Sequence, residues 1–415
     1  MTESSINRMY RIVSRRSRLS IMLGLCLAIA VSFTAHAEEI GVSANRIVFG
    51  QVAALTGPAA ALGTGMREGI LAAFAEANKA GGVQGRELIL ISMDDGYEPN
   101  NTMVGASKLI NEDNVFALIG SVGTPTTNAI LPLIAETRIP LIGPFTGSEG
   151  LRNPFNPLVV NVRASYFQET EVMVERLTKD LGVTRIAIFY QDDSYGRVGL
   201  AGVQRALDRR GMKLVSEGSY PRNTTAVHGA LLDIGKGNPQ AVIMIGAYAP
   251  CAEFIKLARQ AKMNATFVNI SFVGPEALAK ELGSAGTGVV VTQVVPYPND
   301  PAMPLVAEYQ AALRATNPGA KPSFVSLEGY MSGRLAVMAL RKVDGPITRK
   351  GLLDAIVTTG AFDLGGMTLT FAPNNNQGSN QVFLTVIGND GGFVPVQSLK
   401  NGRADSQLSV APSGN

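Results

Sequence analysis

From Arg46 onward, short apolar runs alternate with longer stretches in which apolar residues recur every three or four positions. The runs have the length and bounding turns of buried strands, and the longer stretches have the period of helices packed on one side. Ile47 to Val52 is the first strand. A helix from about Gly63 to Ala80 follows, with Met66, Ile70, Phe74 and Ala77 as its buried stripe and Gly81-Gly82 as its stop. The pattern continues with a strand at Leu88 to Met93, a helix at Asn100 to Glu112 and a strand at Val115 to Ile119. A helix at Thr124 to Thr137 and a strand at Ile139 to Ile142 close this first series.

The same rhythm then restarts. Strands at Ile186 to Tyr190, Leu214 to Tyr220 and Ala241 to Ile245 are each followed by a helix, at Gly196 to Arg210, Ala226 to Lys236 and Pro250 to Ala261. Further strands fall at Phe267 to Ile270 and Val289 to Val295. Strands alternating with helices of this length imply parallel sheets with right-handed crossovers. The expected fold is therefore α/β, with two doubly wound parallel-sheet lobes. Pro296, Pro298, Pro301 and Pro304 mark a crossing between them. Helices at Pro304 to Thr316, Ser326 to Lys342 and Thr348 to Thr358 come next, then antiparallel strands at Met367 to Phe371 and Val382 to Ile387. Beyond Lys400 the chain is small and polar without periodicity, which reads as a disordered tail over 401–415.

The N-terminus changes how the composition is read. Arg8, Arg11, Arg15, Arg16 and Arg18 precede an apolar run, Leu19 to Phe33, and then Ala35-His36-Ala37. That order is a secretory signal peptide with cleavage after Ala37. A membrane anchor would need about 20 apolar residues. Arg18 weakens a twin-arginine signal, and Leu25 before Cys26 weakens a lipoprotein site. Five of the 36 Lys and Arg and one of the 33 Asp and Glu lie in the leader, so the exported chain is close to neutral. Nothing in it suggests a nucleic-acid-binding face. It retains one cysteine, Cys251, one histidine, His228, and no tryptophan. An intramolecular disulfide is thereby excluded, a His/Cys metal site has too few ligands, and no cofactor is expected.

In doubly wound sheets, ligands sit at the carboxyl ends of the strands. Three such loops are rich in Gly and hydroxyl residues: Leu55-Thr56-Gly57-Pro58 onward to Gly65, Gly120 to Thr127, and Gly143 to Ser148. Backbone N–H groups and hydroxyls at a helix N-terminus suit a carboxylate. Thr124 with Pro125 is equally a plain helix start. In the second series Tyr195, Tyr248, Ser271 and Phe272 follow strands and could form an apolar wall, or simply pack. No Gly-rich stretch ends in Gly-Lys-Ser/Thr, so a nucleotide loop is absent. Asp94-Asp95 and Asp192-Asp193 leave an acid/base enzyme as a minor alternative, with turn formation the simpler role.

Together, several segments resemble the periplasmic solute-binding proteins of the leucine/isoleucine/valine-binding family, which serve ABC importers. They are Leu55-Thr56-Gly57-Pro58, Asn78-Lys79-Ala80-Gly81-Gly82-Val83, Asp94-Asp95, Ile119-Gly120, Gly143-Pro144 and Asp193-Ser194-Tyr195-Gly196. The resemblance spans roughly Arg46 to Val396. It implies a type I periplasmic binding protein fold, two lobes joined by three crossover segments that close on the ligand. The lobes would comprise 45–163 with 298–366, and 164–297 with 367–400. The resemblance further implies a monomeric, non-enzymatic periplasmic protein that hands a small solute to an inner-membrane ABC permease. A ligand-sensing module is the alternative.

By the same resemblance, Thr124 holds the ligand carboxylate, and Phe145, Thr146 and Gly147 hold the rest of an amino-acid head. Leu62 stands where the family has an aromatic, and Tyr195 and Tyr248 close from the second lobe. Ser271 occupies the place where amino-acid binders carry a glutamate for the ammonium, with Glu276 five residues later. An aromatic or aliphatic carboxylate, or an amide, is thus as well suited as an amino acid. Tyr195, as a loop aromatic facing an open cleft, is expected to add little to stability.

Overall fold

The computed structural model describes residues 39–400. The signal peptide at 1–37 and the tail at 401–415 lie outside the described residues.

The first sheet contains β1 (Arg46–Ala53), β2 (Glu87–Asp94), β3 (Ala117–Ile119), β4 (Leu141–Ile142) and β5 (Val159–Val160), in the order β2-β1-β3-β4-β5 and all parallel. Its helices are α1 (Ala60–Lys79), α2 (Pro99–Asn111) and α3 (Thr124–Thr137). Side chains alternate across β1 as the pleat requires. Ile47 and Phe49 enter one core with Ile70 and Phe74 of α1, while Val48 and Val52 enter another with Leu109 of α2 and Ile130 of α3.

After a crossing at 161–165 comes α4 (Tyr166–Leu181), which opens with a capping box formed by Ser165 and Gln168. The second sheet follows. Its parallel strands are β6 (Ile186–Gln191), β7 (Ser216–Tyr220), β8 (Ala241–Ile245), β9 (Thr266–Asn269) and β10 (Val290–Gln293). Between them run α5 (Ser194–Asp208), α6 (His228–Lys236), α7 (Tyr248–Gln260) and α8 (Pro275–Leu282). The chain then returns to the first sheet through α9 (Pro304–Thr316), α10 (Phe324–Leu340) and α11 (Arg349–Thr359). It crosses a third time to add β13 (Phe383–Ile387) and β14 (Phe393–Val396), antiparallel, to an order of β14-β13-β10-β9-β8-β6-β7. The second sheet is therefore mixed. Its parallel part repeats the topology of the first, with the strand order reversing beside β1 and beside β6.

Two expectations need correction. Residues 367 to 371 do not join the second sheet. β11 (Ala361–Asp363) and β12 (Thr368–Thr370) form a separate hairpin, and Leu369 and Phe371 pack in the core with Ile47 and Phe49. The hairpin is short, and its buried residues point to the nearest apolar surface, which is that of α9 to α11. The sequence pattern also missed α4, β5, α8, β11 and β14.

The helix pair α1 and α10 forms the spine of the first lobe. Gly65 and Gly69 on α1 face Val325 and Ser326, and Gly329 and Gly333 on α10 face Met66, Ile70 and Ala73. A Cβ on Gly69 would stand 1.8 Å from the Ser326 carbonyl oxygen. The glycines thus set how closely the two backbones approach.

Candidate ligand cleft

The carboxyl ends of both sheets converge on one aromatic cluster. Tyr97, after β2, and Phe145, after β4, come from the first sheet. Tyr195, at the start of α5, and Phe272, in a short helical turn after β9, come from the second. Tyr166 stands at the start of α4, where the first crossing ends. Phe272 is central, with ring centroids 4.6 Å from Tyr195, 5.3 Å from Phe145 and 6.1 Å from Tyr97, and Tyr195 lies 5.4 Å from Tyr166. All five are buried. Such pairs add about 0.5–1.5 kcal/mol each beyond the area they bury.

Beside the rings is a hydroxyl cluster. Thr124, the first residue of α3, lies 2.7 Å from the Thr146 hydroxyl, which donates to Tyr166 Oη at 3.3 Å and accepts the Ser148 N–H at 3.2 Å. Gly123 precedes Thr124 with φ +99°, and a Cβ there would be 2.2 Å from the Tyr97 ring. Glycine is therefore required both by the left-handed backbone and by the ring lying on it. Tyr97 itself has φ +64°, a strained setting for an aromatic residue. Gly147 accepts the Tyr166 N–H at 2.7 Å, and a Cβ there would meet the Tyr166 ring at 2.5 Å. Burial pushes the Tyr166 phenol up to about 12, with Arg163 and the Thr146 bond pulling the other way. These phenols remain protonated donors at any physiological pH.

Of the residues expected at the site, Thr124, Phe145, Thr146, Gly147 and Tyr195 are thus gathered together. Leu62, in the first turn of α1, packs across the cleft near Gly274. Tyr248 Oη accepts the Ala61 N–H at 3.5 Å, so both touch the opposite lobe at the rim. Tyr195 is fully buried and its hydroxyl reaches the Gly246 carbonyl at 3.4 Å, so it does not hang over an open cleft. Ser271 is also committed to the protein: its N–H and hydroxyl both donate to Glu169, at 3.0 Å each.

Sequence reasoning missed the ionic group beneath the rings. Arg163, on the first crossing, donates from Nη2 to Glu169 at 3.2 Å and to Ser271. Its Nη1 is 3.6 Å from Glu328 on α10, and its guanidinium lies 5.1 Å from the Phe145 ring and 5.8 Å from the Tyr166 ring. Glu169 also accepts from Thr292 at 2.6 Å. All three charged groups are buried. Burial works against the charge on Arg163, but Glu328 and Glu169 outweigh it and hold the guanidinium above its usual range. Burial pushes the Glu328 carboxyl up to about 7 despite Arg163. The one signal in the sequence was a run of polar residues, Gln168 to Thr170, on what proves to be a helix.

The remaining acids near the cleft are engaged by the protein. Asp94 accepts the N–H groups of Leu55, Thr56 and Gly96. Asp95 accepts from Tyr97 and Thr102. Arg222 joins Asp193 to Glu98 across the cleft at 3.1 and 2.7 Å, and Asn223 donates to Glu98 and to the Gly96 carbonyl. Glu276 accepts the Phe324 N–H of α10 at 2.8 Å, again from the opposite lobe. Asp192 forms an outward pair with Arg197. Among the described residues no group of three or more His, Cys, Asp or Glu is placed to hold a metal ion.

Comparison with known proteins agrees with this geometry. A family profile described as periplasmic binding protein matches residues 46–392. The structure of a possible leucine/isoleucine/valine-binding protein from Rhodopirellula baltica is 41% identical, with a TM-score of 0.82 over 87% of this chain and 98% of that one. A substrate-binding periplasmic protein from Ralstonia solanacearum is 29% identical, with a TM-score of 0.80 over 84% of this chain and 100% of that one. The leucine-specific-binding protein of Salmonella typhimurium is 24% identical over 71% of this chain and 77% of its own length. The profile covers nearly all the described residues and the likeness extends over most of the chain: this chain belongs to the periplasmic binding protein family, and within it to the leucine-binding type.

Proposed function

We propose that this chain is the extracytoplasmic solute-binding component of an ABC importer. Exported with cleavage after Ala37, it captures a small carboxylate-bearing solute between its lobes and passes it to an inner-membrane permease. The observation that carries this reading is the meeting of aromatic rings from the carboxyl ends of both sheets beside the hydroxyl-lined N-terminus of α3. A helix leaves its first N–H groups without intrahelical partners. Together with Thr124 and Thr146 they supply donors for a carboxylate, while Leu62, Phe145, Tyr195 and Tyr248 enclose its apolar part. Capture need not involve chemistry on the solute, since the surrounding acids serve the protein's own turns and helix ends.

The test is a thermal-shift screen of the mature chain against amino acids and other small carboxylates, followed by small-angle scattering of any hit. A ligand at about 100 times its Kd should stabilise the fold by roughly 2.7 kcal/mol and reduce the radius of gyration. A tight ligand that leaves both unchanged refutes capture by lobe closure.

A further inference from the structure

The turn after β9 carries a large ring into the space between the two sheets. Phe272 is buried and lies against rings from both sides: Phe145 at 5.3 Å and Tyr97 at 6.1 Å from the first sheet, and Tyr195 at 4.6 Å from its own. Two of these rings adjoin the hydroxyl cluster. Phe145 precedes Thr146 in the chain, and Tyr195 packs on Tyr166, whose Oη accepts from the Thr146 hydroxyl. The apolar part of a solute held by Thr124 and Thr146 therefore shares its space with Phe272. The ring is also held in place. Ahead of it, the Ser271 N–H and hydroxyl both donate to the buried Glu169 at 3.0 Å, and Arg163 donates to the same hydroxyl. Behind it, Gly274 has φ +78° and sits so close to the first sheet's side that a Cβ there would stand 2.7 Å from Leu62. Two residues later Glu276 accepts the Phe324 N–H of α10 at 2.8 Å. The turn is thus pinned at both ends, and the ring it carries is packed between its neighbours. A side chain fixed this way is a wall rather than a gate, because a close-packed site resists added methylenes as a core does.

We infer that Phe272 is a specificity-determining residue, the end wall of the cleft, and that it confines the solute to a short apolar chain. This rests on the solute-binding reading above. Calorimetry on the mature chain tests it with two homologous series, the straight-chain carboxylates from propionate to octanoate and their α-amino counterparts, so that either head group is covered. In the parent, affinity should rise about fourfold with each methylene that finds apolar cover. It should then fall about tenfold or more at the member whose chain meets the ring. F272A leaves an apolar void where the ring stood, so the rise should continue to longer members and the fall should move with it. F272L should place the fall between the two. Tightest binding of the longest members by the parent overturns the inference, and so does a fall at the same chain length in folded F272A. In both cases binding is still observed, and the solute-binding reading stands. Binding of neither series by the parent also overturns the inference, and leaves that reading to the thermal-shift and scattering test above. Should F272A fail to fold, the position of the fall in F272L decides the matter.

Discussion

Two substitutions separate the roles of neighbouring side chains in the cleft. Thr124→Ala removes a hydroxyl that bonds Thr146 rather than capping its own helix. Folding should lose only about 0.5–1.5 kcal/mol, the net worth of one such bond. Ligand affinity should fall about ten- to a hundredfold, because a hydrogen bond to a charged group is worth about 1.5–3 kcal/mol. Calorimetry and melting read the two effects apart. Tyr195→Ala should behave differently. The ring is buried between Tyr166 and Phe272, so truncation should cost roughly 3–5 kcal/mol of stability, as for other large buried aromatics, and a denaturant melt will show it. The sequence did place Thr124, Phe145 and Tyr195 at strand ends, since Gly and hydroxyl residues there are a local signal. Arg163, Tyr97 and Glu328 were not legible as site residues. Arg163 acts on a crossing, Tyr97 through a positive φ, and Glu328 from inside a helix, and none of these leaves a mark at neighbouring positions.

At the scale of elements, the glycines between α1 and α10 offer a sharp test. Gly69→Ala would push a methyl to 1.8 Å from the Ser326 carbonyl oxygen, which only a shift of one helix can relieve. Overpacking of this kind costs about 1–3 kcal/mol or more. Gly81→Ala meets no neighbouring atom and serves as the comparison for its left-handed turn alone. If the two variants melt alike, the seam does not set the helix spacing. Most elements were legible because their buried faces are uniformly apolar, as with Ile47, Phe49, Ile70 and Phe74. The helix α4 was not, for a physical reason. Its buried face carries Tyr166, Glu169 and Thr170 before Met173, Val174 and Leu177, because the first turns face the ionic group and only the later ones face the core. Apolar periodicity reports contact with apolar neighbours, and so it fails where a helix packs on a polar site.

Across the whole molecule, burial of carboxyls should make stability depend on pH in an unusual direction. Glu328 has its pKa raised from 4.5 to about 7 by burial. Its contribution is full below the unfolded value and is lost as pH rises through the folded one. The melting temperature should therefore decline between roughly pH 5 and 8, and E328Q should flatten that decline. A profile that rises through this window would contradict it. The lobes also touch through Arg222 with Glu98, Asn223 with Gly96, and Glu276 with Phe324. Substituting Arg222 by alanine, which removes this contact, should enlarge the radius of gyration measured by small-angle scattering without changing the melt of either lobe's core. The tyrosine cluster has one more consequence. The chain contains ten tyrosines and no tryptophan, so its ultraviolet emission is tyrosine emission alone, undrained by energy transfer to an indole. Three of the emitters, Tyr97, Tyr166 and Tyr195, sit where the lobes meet, so the protein carries its own optical gauge of opening, readable without a dye.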